Sequence, residues 1–146
     1  MRADQKFPPS LPDIFPLQNE FCARWDRIQP KSRRKGFTSF GINEPVISNS
    51  RLGRLVESAD IINLHWFARF LSVENVAYLS RLEKPLVITI RDMQALSGGC
   101  HYFHGCEKWK SDCISCPQIP DDNHDLPAKI LEFKKNYWNL QNITVV

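Results

Sequence analysis

The feature that most constrains this chain is the cysteine-rich segment, residues 98–118. It holds four of the five cysteines, spaced C-x5-C-x6-C-x2-C, at Cys100, Cys106, Cys113 and Cys116. Too few apolar residues separate these cysteines for a helix or strand that packs without help, so the segment needs a metal ion or disulfides to hold it. A strand-like run at 86–90 precedes it and a helix-like run at 127–140 follows it. The segment is therefore predicted to follow the carboxyl end of a strand, where open α/β sheets bind their ligands.

The four thiols of this segment match the ligand count of a closed, tetrahedral zinc site. The last two cysteines have the x2 spacing typical of zinc knuckles, the first two are further apart than usual, and His101 or His104 is able to replace a cysteine. Because four protein ligands leave no position for water, the predicted zinc is structural. Two alternatives are open: disulfides or free thiols, and a redox or iron–sulfur role. Cys22 stands apart and is predicted to be a buried or incidental thiol.

The composition indicates a folded domain and disfavours several kinds of partner. Of the 146 residues, 42% are hydrophobic and 24% are charged, which supports a core of ordinary size. The formal net charge of +3 is too small to favour a nucleic-acid partner, and no apolar run is long enough to span a membrane. The first residues contain no apolar signal-peptide core, so the predicted location is the cytoplasm. In that compartment clustered cysteines are more often metal ligands or redox groups than structural disulfides.

Hydrophobic periodicity predicts strands and helices in alternation. The predicted strands lie at 37–42, 60–66, 86–90 and 142–146, of which the run at 60–66 is expected to be buried. Residues 48–50 are the cap candidates of the first predicted helix, in which Leu52, Leu55 and Val56 share one face directed to the core, and Ser72 and Asp125 are the predicted N-caps of the next two helices. This order predicts an α/β fold with a partial Rossmann-like parallel sheet over 37–146, after an irregular, proline-rich segment at 1–36. A basic run at 31–35 indicates either a solvated loop or a phosphate or membrane-surface contact, which would allow peripheral attachment to the inner membrane face. Because no helix follows the last strand to cover it, the chain is expected to be a piece of a longer polypeptide or a truncated relative of one.

Polar residues follow two of the predicted strands. His65 and Trp66 come at the end of the second strand, and Arg91 and Asp92 come directly after the third. If these strands are parallel neighbours, the four side chains share one edge of the sheet, where they are suited to binding sugar hydroxyls or phosphate. The alternatives are that Asp92 caps nearby backbone and that His65 is a half-buried ring with partners of its own.

Two adjacent glycines, Gly98 and Gly99, open the cysteine-rich segment. They are able to present backbone N–H groups to a ligand, or they form a simple turn. The sequence contains neither of the glycine-rich fingerprints that bind dinucleotides or nucleoside triphosphates. No nucleophile elbow is present either.

Taken in their fixed order, these segments resemble part of a known enzyme family, the "group 1" retaining glycosyltransferases of bacteria. The resemblance is to the group that acts in colanic-acid-like and other exopolysaccharide pathways, and it spans about residues 37–146. It is carried by ADIINLHW at 59–66, KPLVITIRDM at 84–93, GGCHY at 98–102, GCE at 105–107 and CISCPQ at 113–118.

The resemblance implies two Rossmann-like domains that face a cleft, a glycosyltransferase B-type fold. This chain would supply the amino-terminal, acceptor side, and a carboxyl-terminal domain outside the sequence would bind the nucleotide-sugar donor. The implied reaction transfers a sugar from that donor to a glycan or lipid-linked sugar acceptor with retention, and this chain alone is not expected to catalyse it. The residues with implied roles are Asp92 and Arg91 in catalysis and His65, Trp66, Gly98 and Gly99 in acceptor binding. Arg91 stands where the family usually has histidine.

Two other functions compete with this one. The first is a non-catalytic, zinc-stabilised module that binds glycan or protein. The second is a zinc domain that binds nucleic acid, which the small net charge and the parallel-sheet pattern oppose.

Overall fold

The computed structural model describes residues 47–68, 70–119 and 125–146. In these residues three helices alternate with three strands: α1 Asn49–Leu55, β1 Ile62–His65, α2 Val73–Leu79, β2 Leu86–Thr89, α3 Leu126–Tyr137 and β3 Ile143–Val145. Short 3-10 turns cover Lys108–Lys110 and Leu140–Asn142. The predicted α/β class is therefore confirmed for this part of the chain. The predicted strand at 37–42, the basic run at 31–35 and Cys22 lie outside the described residues.

The three strands form one parallel sheet in the order β1-β2-β3. His65 at the end of β1 pairs with Thr89 at the end of β2, and Leu86 pairs with Ile143 of β3. Because the strands run in the same direction, their carboxyl ends lie along one edge of the sheet. The predicted parallel arrangement of the second and third sequence strands is confirmed.

The first two helices begin where the sequence predicts, because a serine caps each of them. Ser48 Oγ accepts a hydrogen bond from the Arg51 N–H at 3.4 Å. Ser72 Oγ accepts from the Asn75 N–H at 3.2 Å, while Asn75 Oδ1 accepts from the Ser72 N–H at 3.1 Å. This reciprocal pair is a capping box, which satisfies two backbone donors at a buried helix start.

Helix α3 begins differently from the prediction. Asp125 stands at its N-cap position, but the carboxylate makes no cap bond to the helix, and the backbone there is left-handed with φ 46°. Oδ1 of Asp125 instead accepts from the Ser115 N–H at 3.1 Å. Pro127 lies in the first turn, where its missing N–H leaves no helical bond unmade. The predicted cap is therefore wrong, because this carboxylate bonds the cysteine-rich segment and leaves the helix uncapped by a side chain.

One apolar cluster lies between the sheet and the helices. Its buried members include Ile62, Leu64, Leu86 and Ile88 from the sheet, and Leu52, Val76, Leu79, Phe133 and Trp138 from the helices and the residue after α3. The Trp138 indole N–H donates to the Val73 carbonyl at 2.9 Å, which joins the end of α3 to the start of α2. Burial of these side chains supplies the main force that holds the helices against the sheet.

Burial corrects two expectations from the sequence. The run at 60–66 is predicted to be a buried strand, but in β1 only Ile62 and Leu64 are buried, and the residues alternating with them are exposed. Leu55, predicted to face the core, is 63% exposed, because the buried face of α1 is centred on Leu52 and Gly53. Of the helices described here, none combines the length and apolar character needed to cross a membrane.

Candidate functional site

The two strand ends that carry the predicted site residues lie side by side. His65 pairs with Thr89, and Arg91 follows Thr89 by two residues. The side chains of His65 and Arg91 are both exposed, whereas Asp92 is partly buried. The parallel sheet therefore brings the sequence-predicted imidazole, guanidinium and carboxylate to one edge, as expected from the strand order.

Asp92 and His101 form a buried acid–imidazole pair at this edge. His101 Nδ1 lies 2.6 Å from Asp92 Oδ2, and the two side chains are only 9% and 10% exposed. Asp92 Oδ1 also accepts from the Gln94 N–H at 2.9 Å, and the Met93 N–H donates to the His101 carbonyl at 2.9 Å. Asp92 thus does cap nearby backbone, as the alternative interpretation held, and it holds a histidine as well.

This pairing decides what the imidazole is able to do. When a carboxylate accepts the Nδ1–H bond, the neutral ring keeps its lone pair on the other nitrogen, Nε2. Within the described ranges Nε2 of His101 has no hydrogen-bond partner. Asp92 therefore holds the His101 ring in one orientation.

The Trp66 side chain lies next to this pair. Its ring centroid is 6.4 Å from that of His101, and the side chain is 54% exposed. The backbone of Trp66 is left-handed, with φ 41°, which costs a bulky residue about 1–2 kcal/mol. Strain of this kind concentrates at functional sites. An exposed apolar ring beside oriented polar groups suits a ligand, such as a sugar, that has both an apolar face and hydroxyls.

The two predicted substrate-binding glycines are buried in the turn that opens the cysteine-rich segment. The Gly99 N–H donates to Ser97 Oγ at 3.1 Å, and Gly99 has φ 127°. The Gly98 backbone acts to lower the pKa of the Cys113 thiol. Gly98 also lies directly against the backbone of Pro127, with no room for a Cβ atom. Both glycines are therefore buried in this turn, and the Gly99 N–H is already bonded to Ser97.

The four thiols of the cysteine-rich segment are free and close enough to influence one another. Cys100 and Cys113 are buried, and Cys106 and Cys116 are partly buried. Burial raises the pKa of the Cys100 and Cys113 thiols and raises the pKa of Cys116 to about 11. Charge on other cysteines of the same set raises each of these pKa values further. The segment therefore gathers four sulfur atoms within electrostatic range.

Polar groups around the thiols act in the opposite direction. Ser97 acts to lower the pKa of the Cys100 thiol, and the backbone of Gln118 and Ile119 acts to lower that of Cys116, because these groups favour the thiolate. The Ser97 hydroxyl itself donates to the Cys100 carbonyl at 2.9 Å, and the Ile119 N–H donates to the Cys116 carbonyl at 3.1 Å. The thiolate is the form of cysteine that binds metal ions.

The donor chemistry of the segment fits zinc, but its ligand geometry is incomplete. Cys113 and Ser115 have left-handed backbones, with φ 59° and 51°, so the second cysteine pair lies in a tight turn. Among the residues described, no three or more His, Cys, Asp or Glu side chains are arranged to hold a metal ion.

A buried lysine links this segment to α3. Lys134 is only 6% exposed, and its ammonium donates to the Gln94 carbonyl at 2.5 Å and to the Ser97 carbonyl at 2.7 Å. Burial lowers its pKa to about 7, while the charges of Cys100, Cys113 and Asp92 act to raise it. The Lys134 ammonium also lies 5.4 Å from the centroid of the Trp138 ring. Lys134 thus ties α3 to the backbone just before the cysteine-rich segment, at Gln94 and Ser97.

The sequence did not predict the contacts that two residues of the site, His101 and Lys134, make in the structure. His101 is predicted only as a possible substitute metal ligand, and no sequence pattern indicates its bond to Asp92, because that bond depends on the path of an irregular turn. The burial of Lys134, in contrast, is indicated by the sequence pattern. This lysine lies four residues after Ile130 and three after Leu131, on the buried face of a helix, where a lysine requires polar partners.

The chain and its fold were compared with family models, curated proteins and solved structures, and none of them matches.

Proposed function

We propose that this chain forms the acceptor-binding part of a retaining glycosyltransferase, which moves a sugar from a nucleotide-sugar donor to a hydroxyl of a polysaccharide precursor. The observation that carries the proposal is the meeting of the Asp92–His101 pair and Trp66 at the carboxyl edge of β1 and β2. Open parallel sheets bind ligands at this edge. In the proposal the sheet is half of a two-Rossmann-domain fold, and the donor-binding domain is supplied elsewhere in the polypeptide or by a partner.

The residues take distinct roles in this proposal. Trp66 packs against the apolar face of the acceptor sugar, and His101 Nε2 accepts a hydrogen bond from the reacting hydroxyl. Asp92 holds the imidazole in the tautomer that this bond requires. Arg91 stays protonated at any physiological pH, so it is assigned to the negative charge of the donor diphosphate as that group departs.

The test is a titration of the ¹⁵N-labelled chain with methyl glycosides of glucose, galactose, mannose and fucose, followed by NMR. The chemical shifts that move should cluster at residues 65–66, 91–92 and 101. Asp92→Asn should weaken binding by about tenfold or more, because a hydrogen bond to a charged group is worth about 1.5–3 kcal/mol.

Asp112→Asn is a matched control for this substitution. Oδ1 of Asp112 accepts from the Ile114 N–H at 2.9 Å, as Asp92 Oδ1 does from Gln94, but Asp112 holds no histidine in the part of the chain described. The control should bind like wild type. Equal losses in both variants, or shifts scattered away from the strand ends, would contradict the proposal.

A second candidate function is a glycan- or protein-binding module without catalysis. Arg91 favours this function, because it stands where the resembled family usually has histidine, and an arginine is unable to accept a proton there. The two candidates separate in an assay of nucleoside diphosphate release from UDP- and GDP-hexoses, with the chain joined to or mixed with its donor domain. Binding of glycosides without any acceptor-dependent release would support the module.

We also propose that Cys100, Cys106, Cys113 and Cys116 bind one structural zinc ion. The proposal is supported by the four thiols within electrostatic range and by the left-handed turn at Cys113. Four thiolate ligands leave no open position, so the ion would hold the segment beside the acceptor edge and take no part in transfer.

Elemental analysis of the chain purified in reducing buffer should find about one zinc ion per chain. Cys116→Ser should lose this zinc, and Cys22→Ser, which changes the cysteine outside the segment, should retain it. Chelation should increase amide exchange in residues 98–118 and leave the sheet protected. Wild-type protein that contains no zinc would refute the metal proposal. The glycosyltransferase proposal would be unaffected, because it is tested separately by the glycoside titration.

A further inference from the structure

A cleft of about 480 Å³, a usual size for a small-ligand pocket, lies away from the proposed acceptor site. One side is formed by Arg81, between α2 and β2, and the other by the end of α3 and the turn that leads into β3. The cleft therefore lies towards the amino ends of β2 and β3, at the opposite edge of the parallel sheet from the acceptor site. The residues that line it are Arg81, Lys135, Asn136, Tyr137, Trp138, Asn139, Leu140 and Gln141.

Hydrogen bonds fix the two sides of the cleft relative to each other. The Asn139 N–H donates to Ser80 Oγ at 3.0 Å. The side-chain amide of Asn142 donates to the carbonyls of Ser80, Leu82 and Lys84, at 3.0, 3.2 and 2.9 Å. The fold itself thus sets the shape of the cleft, which lowers the cost of ordering these residues when a ligand binds.

Stacked aromatic rings position Arg81 in this cleft. Its guanidinium carbon lies over the Tyr137 ring, 5.9 Å from the centroid. The Tyr137 ring stacks in turn on that of Phe133, with centroids 4.7 Å apart, and Phe133 belongs to the buried core. An arginine that lies over an aromatic ring still has the N–H groups at the edge of its guanidinium for hydrogen bonds. The core therefore orients this guanidinium without using its donors.

The positive charge of the cleft has no carboxylate to balance it. The lining residues include two cations, Arg81 and Lys135, and no Asp or Glu. Within the described part of the chain Arg81 forms no ion pair, although Glu83 is only two residues away. The Lys135 ammonium donates to a backbone carbonyl, which does not neutralise it. Asn136 and Gln141 add exposed side-chain amides to the lining.

We propose that this cleft binds a phosphate group, carried by a soluble phosphate ester or by a lipid headgroup. The edge of a guanidinium donates two parallel hydrogen bonds to a phosphate, and such charge-assisted bonds are stronger than bonds between neutral groups. The lysine and the amides supply further donors, and Leu140, which is 63% exposed, offers an apolar contact to the carbon part of the ester. Because the cleft is separate from the acceptor edge, the proposal does not depend on the glycosyltransferase assignment.

A purely structural role for Arg81 is the competing explanation. A cation just after α2 offsets the dipole of that helix whether or not a ligand binds. Arg54 also lies at the end of a helix, in the last turn of α1, but it is outside the cleft and donates to Ser50 Oγ at 3.0 Å. Arg54→Gln is therefore the matched control for Arg81→Gln.

The test is a titration of the ¹⁵N-labelled full chain with inorganic phosphate and with glycerol 3-phosphate, compared with sodium chloride at matched ionic strength. NMR follows the backbone amides and the side-chain Nε–H of Arg81. A parallel measurement is sedimentation of the chain with phosphatidylcholine vesicles, with and without phosphatidic acid. The soluble probes test a phosphate ester as the source of the phosphate, and the vesicles test a lipid headgroup.

In wild type the Arg81 Nε–H signal and the amides of residues 135–141 should shift to saturation with a phosphate probe and not with chloride. Arg81→Gln should weaken this binding by about tenfold or more, the loss expected when a charge-assisted hydrogen bond is removed. Arg81→Lys keeps the charge but loses the forked geometry, so it should recover only part of the affinity. Arg54→Gln should bind like wild type. Sedimentation that requires phosphatidic acid and is lost in Arg81→Gln, without binding of the soluble probes, would assign the site to a lipid headgroup.

Three results would overturn the proposal. The first is an Arg81 Nε–H signal that no soluble probe moves, together with sedimentation that does not depend on phosphatidic acid. The second is full affinity in Arg81→Gln. The third is an equal loss in Arg81→Gln and Arg54→Gln, which would mean that phosphate is attracted only by the general charge of the surface. If Arg81→Gln does not fold, the wild-type measurements decide, because the Arg81 signal reports the contact directly.

Discussion

A methyl group added at Gly98 should separate the cysteine-rich segment from α3. An ideal Cβ at this residue would lie 2.1 Å from the Pro127 carbonyl oxygen, 2.6 Å from its carbon and 2.8 Å from its Cα. Side-chain atoms can rotate away from such a contact, but these are backbone atoms in the first turn of a helix. The Gly98→Ala variant therefore folds only if the turn moves away from Pro127, by about 1 Å or more to restore ordinary contact.

The size of this effect follows from the kind of contact. Overpacking a filled site costs about 1–3 kcal/mol, and a clash with rigid backbone belongs at the upper end of that range. Natural domains have about 5–15 kcal/mol of stability in total, so about 3 kcal/mol is a large fraction. For a chain of this size it should lower Tm by about 6–12 °C.

Gly105→Ala is the matched control in the same segment. Gly105 has φ 80° and no atom within 4 Å of an added Cβ, so alanine meets only the cost of a left-handed backbone, about 1–2 kcal/mol. Thermal and urea unfolding of the reduced, metal-free variants, followed by tryptophan fluorescence, should rank Gly98→Ala as clearly the less stable. A Gly98→Ala variant as stable as Gly105→Ala would refute the claim that this glycine is required for close packing.

Three further predictions concern single contacts. In reduced, metal-free protein the free energy of unfolding should rise between pH 7 and about 9. Burial lowers the pKa of Lys134 in the folded protein from 10.5 to about 7, so in this pH range unfolding takes up a proton. Urea unfolding of Lys134→Met should lack this rise. Trp138→Phe should cost about 2 kcal/mol in urea unfolding, because it opens a space in the core and removes the bond to the Val73 carbonyl; no change would contradict that bond. Asp125→Gly should leave helix content by circular dichroism unchanged and speed amide exchange at Ser115, whereas a loss of helix would mean that the carboxylate caps α3 after all.

The local elements and their order could be predicted from the amino-acid chain alone. Ser72 followed by Asn75 makes a helix start, because the two residues bond each other across a single turn. The β-branched run that forms β2 has few other ways to bury its side chains. Strands separated by helices then require parallel pairing, which places His65 and Arg91 on one edge. These outcomes depend on neighbours a few residues apart or on a repeating pattern, and both are visible in the chain itself.

Which polar groups contact one another depends on how the chain packs in three dimensions. Asp92 and His101 are joined by a turn without periodicity, and Asp125 bonds Ser115 instead of its own helix. Lys134 is forty residues from the Gln94 carbonyl that it bonds. Such partners are selected when the packed core brings distant backbone together and each buried donor must find an acceptor. A sequence pattern records that a residue is polar and faces inward, but the partner exists only once the chain has folded.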